Sequence, residues 1–227
     1  MGEGRRESGP AASPLANNEP GSASMLERWV KSFTFSAVCF AVWGSLSILR
    51  ARALARTFDS MELLWLTYNA TIAVLFLVRS RPSVVSLQPV HWLVALATSF
   101  SGLFFERHSA ALATSEPIAN GLILVGLAGA GSSALALGRS YDFVPALRGV
   151  ATGGLYGLVR HPMYVSSVLI RLGYLARHPT AFNAAVFGIM VWLYGWRALF
   201  EERIMLGDPK YRQYAGRVRY RFLPGLY

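Results

Sequence analysis

Residues 160–202 read RHPMYVSSVLIRLGYLARHPTAFNAAVFGIMVWLYGWRALFEE, and they define the architecture of the second half of the chain. A polar corner containing a proline comes first, two apolar segments follow, and charged residues end the stretch. The first apolar segment, 163–176, is short for a bilayer, because a helix rises only about 1.5 Å per residue. The turn-like sequence RHPT at 177–180 therefore predicts a tight helical hairpin between this segment and the second one, 181–200.

The chain as a whole is hydrophobic enough for a membrane protein. Of its 227 residues, 53% are hydrophobic and 15% are charged, which is too apolar for an ordinary soluble domain. Four more apolar runs approach the roughly 20 residues that a transmembrane helix requires: 33–49, 63–78, 91–105 and 118–137. The prediction is an all-α, polytopic helical membrane protein with five or six transmembrane helices, the last two forming a tight hairpin, plus a cytoplasmic C-terminal segment.

Composition divides the chain into three segments. Residues 1–24 are predicted to be a disordered N-terminal tail, because their Gly, Pro, Ser, Ala and Asn offer too little apolar surface to offset chain entropy. No apolar signal core precedes the first span, which is interpreted as an uncleaved anchor. Residues 25–140 are predicted scaffold helices, and residues 141–227 contain nearly all the motifs. Small residues that allow close helix packing in lipid lie in the scaffold at Gly121, Gly126, Ala128, Gly129 and Gly131.

The formal net charge of +10 raises the question of a nucleic-acid partner. We expect none, because the basic residues lie at helix ends and in the C-terminal tail, without zinc spacing or an aromatic RNA-binding motif. Membrane lipids are the expected counterpart, since each basic residue near an anionic leaflet contributes about 1 kcal/mol. The basic residues of the tail are Lys210, Arg212, Arg217, Arg219 and Arg221.

The positive-inside rule predicts that the tail and the polar corner face the cytoplasm. The membrane would be the bacterial inner membrane, or the endoplasmic reticulum in a eukaryote. Three arginines between the first two apolar runs, Arg50, Arg52 and Arg56, conflict with this topology. The single cysteine, Cys39, excludes an internal disulfide and a cysteine-based metal site, and no metal is expected.

The corner at 160–164 is a candidate ligand site. Pro162 suits the first position of a helix, where its missing N–H costs nothing, so His161 is expected at the cap among free backbone amides. Such a helix start would bind a carboxylate or phosphate, with His161 and Tyr164 as additional donors. The alternative is a purely structural cap. The preceding Gly-rich stretch, 149–157, permits close approach of a ligand to the backbone, or is an interfacial linker.

Charged residues at the end of the last span form a second candidate site. Arg197 and Glu201 are one helical turn apart and share a face, with Glu202 turned aside. The alternative is a local salt bridge that anchors the helix at the interface. Arg171 lies in the middle of the short apolar segment, where an unpaired guanidinium is costly, so an acidic or carbonyl partner and a structural role are expected.

The motifs together resemble the isoprenylcysteine carboxyl methyltransferase family of integral membrane enzymes. The shared order is a Gly-rich turn, Tyr156, RHPMY at 160–164, an apolar hairpin, and RxxxEE at 197–202, followed by YxxY at 211–214, Val218 and Pro224. The resemblance covers residues 141–227. It implies an all-helical enzyme that uses S-adenosyl-L-methionine, bound between the last helices and the C-terminal tail.

The resemblance also assigns roles to individual residues. Arg197 takes the position of the catalytic arginine that binds the acceptor substrate. Residues 148–151 occupy the place of another cofactor-contacting segment, but their types depart from the eukaryotic pattern. The positions of the cofactor contacts are held by Tyr156, His161, Pro162, Met163, Tyr164 and Glu201.

The acceptor is expected to be lipophilic, first of all the carboxylate of an isoprenylcysteine-like substrate. A carboxylate is already ionised at neutral pH, so the enzyme needs only to align the reacting atoms, and the planar fork of Arg197 suits it. The alternative is a phospholipid N-methyltransferase acting on phosphatidylethanolamine, because related enzymes of that type also place a Glu pair after their last span. A small thiol is a third possibility. A membrane scaffold without activity would require neither the corner nor the Arg197–Glu201 face.

Overall fold

The computed structural model describes residues 24–58, 60–106, 116–142, 144, 146–147 and 149–225. In these ranges the chain is almost entirely helical, with one short antiparallel pair of strands, β1 (Val84–Val85) and β2 (Ala146–Leu147). The helices are α1 (Met25–Val30), α2 (Phe33–Thr57), α3 (Ser60–Val78), α4 (Pro89–Ser99), α5 (Glu116–Leu137), α6 (Pro162–Arg177), α7 (Ala181–Met205) and α8 (Pro209–Arg217). Ser24, the last residue of the predicted N-terminal tail, caps α1 by accepting a hydrogen bond from the Glu27 N–H.

Several helices have apolar surfaces. Among the described residues, two helices have the length and composition of a membrane span, Phe33–Arg56 and Glu116–Ser140, and Glu62–Val78 is apolar but shorter. Large apolar side chains are exposed on several helices. Examples are Phe33, Leu93, Ile118, Leu135 and Trp192, each more than 60% exposed. These features are consistent with a helical membrane protein, but they do not confirm five or six spans.

The apolar run 91–105 does not form one spanning helix. Helix α4 has 11 residues, so it is only about 16 Å long, and a 3-10 turn at Ser101–Leu103 follows it. The polar side chains of Thr98 and Ser101 provide the physical reason. The Ser101 hydroxyl donates to the Thr98 carbonyl oxygen at 2.8 Å, which caps the helix end and stops the run from continuing across a bilayer.

The predicted hairpin is present. Helix α6 ends at Arg177 and α7 begins at Ala181, with Thr180 as N-cap accepting from the Asn183 N–H at 3.0 Å. The fully buried Asn183 amide also donates to the His178 carbonyl oxygen at 2.8 Å. The connection is therefore held by local hydrogen bonds, and the start of α6 lies beside the end of α7.

Helices α5 and α6 approach each other closely through glycines. A Cβ added at Gly126 would lie 2.6 Å from Ile170 Cγ1, and one at Gly173 would lie 2.6 Å from Ile123 Cγ1. Close packing is confirmed for Gly126 and also for Gly129, whose added Cβ would meet Ser166 Oγ at 2.5 Å. An added Cβ at Gly121 or Gly131 would have no neighbour within 4 Å in the described structure, so these two glycines do not serve the packing.

A buried ion pair joins the first helices to the linker after α5. Arg79 Nη1 lies 2.8 Å from Asp142 Oδ2, and both side chains are 3% exposed. Arg79 also donates to the Ser36 hydroxyl at 2.7 Å and to the Val30 carbonyl oxygen at 2.6 Å. Because the linker carries part of the candidate site, this pair fixes the site relative to α1 and α2.

Candidate active site

One cavity lies between the ends of the last helices and the linker that follows α5. It contains about 1140 Å³ of empty space, a volume that includes open solvent at its mouth. Six of the seven candidate residues line this cavity, and the seventh, Pro162, does not. The six are Tyr156, His161, Met163, Tyr164, Arg197 and Glu201.

The corner has the predicted helix start but not the predicted free amides. His161 is the N-cap of α6, and Pro162 is buried at its first position. The His161 N–H donates to the Arg221 carbonyl oxygen at 2.9 Å, and the Arg160 N–H donates to the Tyr220 carbonyl oxygen at 2.9 Å. The expectation that free amides at the corner would bind an anion is therefore wrong for these two residues, because the C-terminal segment pairs with them.

Glu202 anchors the corner to the C-terminal segment. Its carboxylate is 3% exposed and lies 3.1 Å from Arg160 Nη1, 3.1 Å from His161 Nε2 and 2.8 Å from Arg221 Nε. Burial raises the pKa of Glu202, but hydrogen bonds from His161 and Arg221 and the charge of Arg160 lower it more, so its pKa lies below the ordinary value. An ionised carboxylate only accepts, so His161 carries a proton on Nε2. The sequence did not predict this role for Glu202.

Glu201 faces the cavity and is held by two donors. Arg197 Nε lies 3.3 Å from Glu201 Oε1, and the Tyr164 hydroxyl donates to the same oxygen. The Arg197 guanidinium also lies over the Tyr164 ring, 5.3 Å from its centroid. The salt bridge considered from the sequence is thus present. Within the described structure both bonds reach Oε1, and the side chain is 20% exposed, so Oε2 is available to a ligand.

Arg197 also joins α7 to the end of α4. It is 6% exposed, and its Nη1 donates to the Thr98 hydroxyl at 2.7 Å. Two weaker contacts, both 3.4 Å, reach the Ala95 carbonyl oxygen and the Ser99 hydroxyl. A guanidinium at the C-terminal end of a helix is favourable, because the carbonyl groups there carry partial negative charge.

Arg171 has the carbonyl partners that its position requires. It donates from Nη1 to the Ser167 carbonyl oxygen at 2.8 Å and from Nη2 to the Thr98 carbonyl oxygen at 3.2 Å. Its Nε donates to the Ser101 hydroxyl at 2.6 Å. The expected carbonyl partners of Arg171 are confirmed, and Arg171 also lines the cavity.

Several cavity residues were not predicted from the sequence. Thr98 and Ser99 come from α4, and Arg160, Tyr211 and Tyr214 surround the corner. The cluster of hydroxyl residues at 98–101 within an apolar run was the signal that could have found the α4 wall. Gly149, Val150 and Ala151 line the cavity as well, whereas Arg148 lies outside the described residues.

Comparison with known protein families gives a match to part of the chain. The family model described as phospholipid methyltransferase matches residues 116–209, a segment that contains α5, the corner and the α6–α7 hairpin. No curated protein matches the chain. Members of the matched family use S-adenosyl-L-methionine. The match supports a membrane methyltransferase of this broad class, and it favours the phospholipid type over the isoprenylcysteine type to which the motifs were first compared.

Proposed function

We propose that this protein is an integral membrane methyltransferase that uses S-adenosyl-L-methionine to methylate the amine of a phospholipid headgroup, such as that of phosphatidylethanolamine. The observation that carries the proposal is the cavity-facing carboxylate of Glu201, held by Arg197 and Tyr164. An amine acceptor requires a proton acceptor, and Glu201 Oε2 is placed to serve as one. The basic C-terminal segment favours a site on the cytoplasmic face.

The cavity residues fit the methyl donor. S-adenosyl-L-methionine supplies a methyl group bonded to a positively charged sulfur. The aromatic face of Tyr156 suits a cation, and Glu201 complements a positive group by a charge-assisted hydrogen bond. We propose His161 and Met163 as further contacts, whereas Pro162 acts by starting α6.

The residues of this chain would prepare the amine and exclude water. A phospholipid amine is protonated at neutral pH, and Glu201 would accept its proton to free the nitrogen lone pair. The bond that forms joins nitrogen to the methyl carbon, and the bond that breaks joins that carbon to sulfur, which keeps the electron pair. Arg197 and Tyr164 would hold Glu201 in position for this transfer.

An apolar groove beside the cavity supports a lipophilic acceptor. It lies between the first helices and α4, and Trp43 and Ser99 line both the groove and the cavity. A lipid could therefore place its hydrocarbon chain in the groove and its headgroup in the cavity. The remaining groove residues are Trp29, Phe35, Val38, Cys39, Val42, Trp92, Leu96 and Phe100.

A carboxylate acceptor is the second candidate, because the Arg197 guanidinium is buried in the cavity wall. Arginine binds carboxylates through its planar fork. A carboxylate needs no proton removal, so Glu201→Gln distinguishes the two candidates. At saturating methyl donor, which compensates any loss of a donor contact, the variant should greatly reduce methylation of an amine and affect methylation of a carboxylate less.

The test is to incubate the purified protein in phosphatidylethanolamine vesicles, with or without an isoprenylcysteine analogue, and with labelled methyl donor. We expect label in the lipid headgroup, reduced about 100-fold or more in Glu201→Gln. Glu116→Gln, which changes an exposed carboxylate on α5, should leave the rate unchanged. Label in a base-labile ester would favour the carboxylate candidate, and label in neither product would contradict both.

A further inference from the structure

Two residues of the cavity wall each carry a buried polar atom that has no hydrogen-bond partner among the described residues. Arg160 Nε and the Tyr211 hydroxyl are buried and make no hydrogen bond within the described structure. Both residues line the cavity. Tyr211 is 2% exposed and the Arg160 side chain is 12% exposed, so bulk water does not compensate them. Buried polar groups are nearly always paired, and an unpaired one indicates a missing ligand or water.

Both atoms are hydrogen-bond donors. A guanidinium Nε always carries its proton. Burial raises the pKa of Tyr211, and the nearby charge of Arg160 opposes this effect without cancelling it, so the phenol stays protonated at neutral pH. A ligand that accepts from both must therefore present hydrogen-bond acceptors, and a negatively charged oxygen is favoured beside a guanidinium.

Several other polar groups of the corner are already paired, whereas Arg160 Nε and the Tyr211 hydroxyl remain as donors for an anion. The backbone amides of Arg160 and His161 are paired with the C-terminal segment. Glu202 engages the other end of the Arg160 side chain through Nη1 at 3.1 Å, and Nη2 donates to the Arg219 carbonyl oxygen at 3.2 Å. Two nitrogens of the Arg160 guanidinium are therefore engaged. The third, Nε, has no partner within the described structure.

We propose that Arg160 and Tyr211 form the anion-binding end of the cavity and bind the carboxylate of the methyl donor. This inference rests on the proposed function, because it names the contacts of the donor in the same cavity. It places the carboxylate at a side-chain site made by the corner and α8, instead of at the backbone amides of the α6 start. Helix α8 is then part of the donor site.

The test measures binding by calorimetry, with S-adenosylhomocysteine and with its decarboxylated analogue, S-adenosyl-3-thiopropylamine. Tyr211→Phe should weaken binding of S-adenosylhomocysteine about tenfold, because a hydrogen bond to a charged group is lost, and should leave binding of the analogue unchanged. Arg160→Lys, which keeps the charge opposite Glu202 but removes Nε, should show the same selective loss. Thermal unfolding of each variant verifies that it is folded.

Tyr214→Phe is the matched control on the same helix. Its hydroxyl already donates to the Tyr156 carbonyl oxygen at 2.8 Å, so any loss should be equal for the two ligands. If Tyr211→Phe weakens binding of S-adenosylhomocysteine and of the analogue equally, the inference is wrong. It is also wrong if the variant binds both ligands as before but has a raised KM for phospholipid. That result would assign Arg160 and Tyr211 to the phosphate of the acceptor. If the unmodified protein binds neither ligand, the proposed function itself fails.

Discussion

Glu202 is the residue on which the geometry of the corner depends most. One carboxylate, 3% exposed, is shared by Arg160, His161 and Arg221, which belong to the corner and the C-terminal segment. Removing one partner of a buried ion pair is costly, because it leaves the other charges without compensation. Glu201, its neighbour, serves the cavity instead, so the two adjacent carboxylates have separate tasks.

Glu202→Gln should destabilise the folded protein by roughly 3–5 kcal/mol at neutral pH. The folded pKa of Glu202 lies below the unfolded value near 4.5, so its contribution to stability is fully present above about pH 5 and is lost as the pH falls through the folded pKa. The measurement is thermal unfolding in detergent as a function of pH. The difference between the unmodified protein and the variant should shrink as the solution becomes acidic.

The control for this prediction is Glu116→Gln. Glu116 lies 3.7 Å from Arg177, with both side chains more than a third exposed, and exposed pairs contribute at most about 1 kcal/mol. A pH-independent gap between Glu202→Gln and the unmodified protein would show that the loss is one of packing and not of charge.

At the scale of elements, the α5–α6 contact determines where the corner sits. Helix α6 begins at the corner, and its later residues Ile170 and Gly173 pack directly against α5. Two glycines on different helices, Gly126 and Gly173, each receive a side chain from the opposite helix. Small residues allow this approach in lipid, where packing replaces the hydrophobic effect as the driving force.

Gly126→Ala should lower stability by about 1–3 kcal/mol, because the added methyl group would overlap Ile170 Cγ1 and the Ser166 carbonyl oxygen, which lie 2.6 and 2.8 Å from its position. Separation of the helices should also weaken binding of S-adenosylhomocysteine. Gly131→Ala, on the same helix with nothing within 4 Å in the described structure, should leave both properties unchanged or slightly improved. Equal thermal unfolding of the two variants would contradict the assigned contact.

Local chemistry explains which elements could be predicted. The start of α6 follows from the fixed dihedral of Pro162, and the shared face of Arg197 and Glu201 follows from the helical repeat. The end of α4 could not be predicted, because Thr98 meets Arg197 across 99 positions of the chain and no local pattern encodes that pairing. A prediction from hydropathy alone makes α4 too long, because a hydropathy scale gives little weight to the hydroxyl groups of Thr98 and Ser101 at the end of the helix.

For the whole molecule, the C-terminal segment closes the site. Carbonyl oxygens of Tyr220 and Arg221 accept from the corner amides, and the Phe222 ring lies 5.8 Å from the His161 ring. Helix α8 adds Tyr211 and Tyr214 to the cavity wall. Sequence resemblance placed the tail at the cofactor pocket, but only the folded chain shows that it competes for the same backbone amides that a ligand was expected to use.

Deletion of residues 219–227 should therefore reduce binding of S-adenosylhomocysteine more than tenfold. The truncation removes both carbonyl acceptors and leaves Glu202 without Arg221, so the corner loses its support while α8 is retained. Calorimetry in detergent measures the binding, and size-exclusion chromatography verifies that the truncated protein stays dispersed. Deletion of residues 1–23, which precede the Ser24 cap of α1, should leave binding unchanged. If the C-terminal deletion binds as tightly as the full chain, the corner holds its geometry alone and the closing role of the segment is wrong.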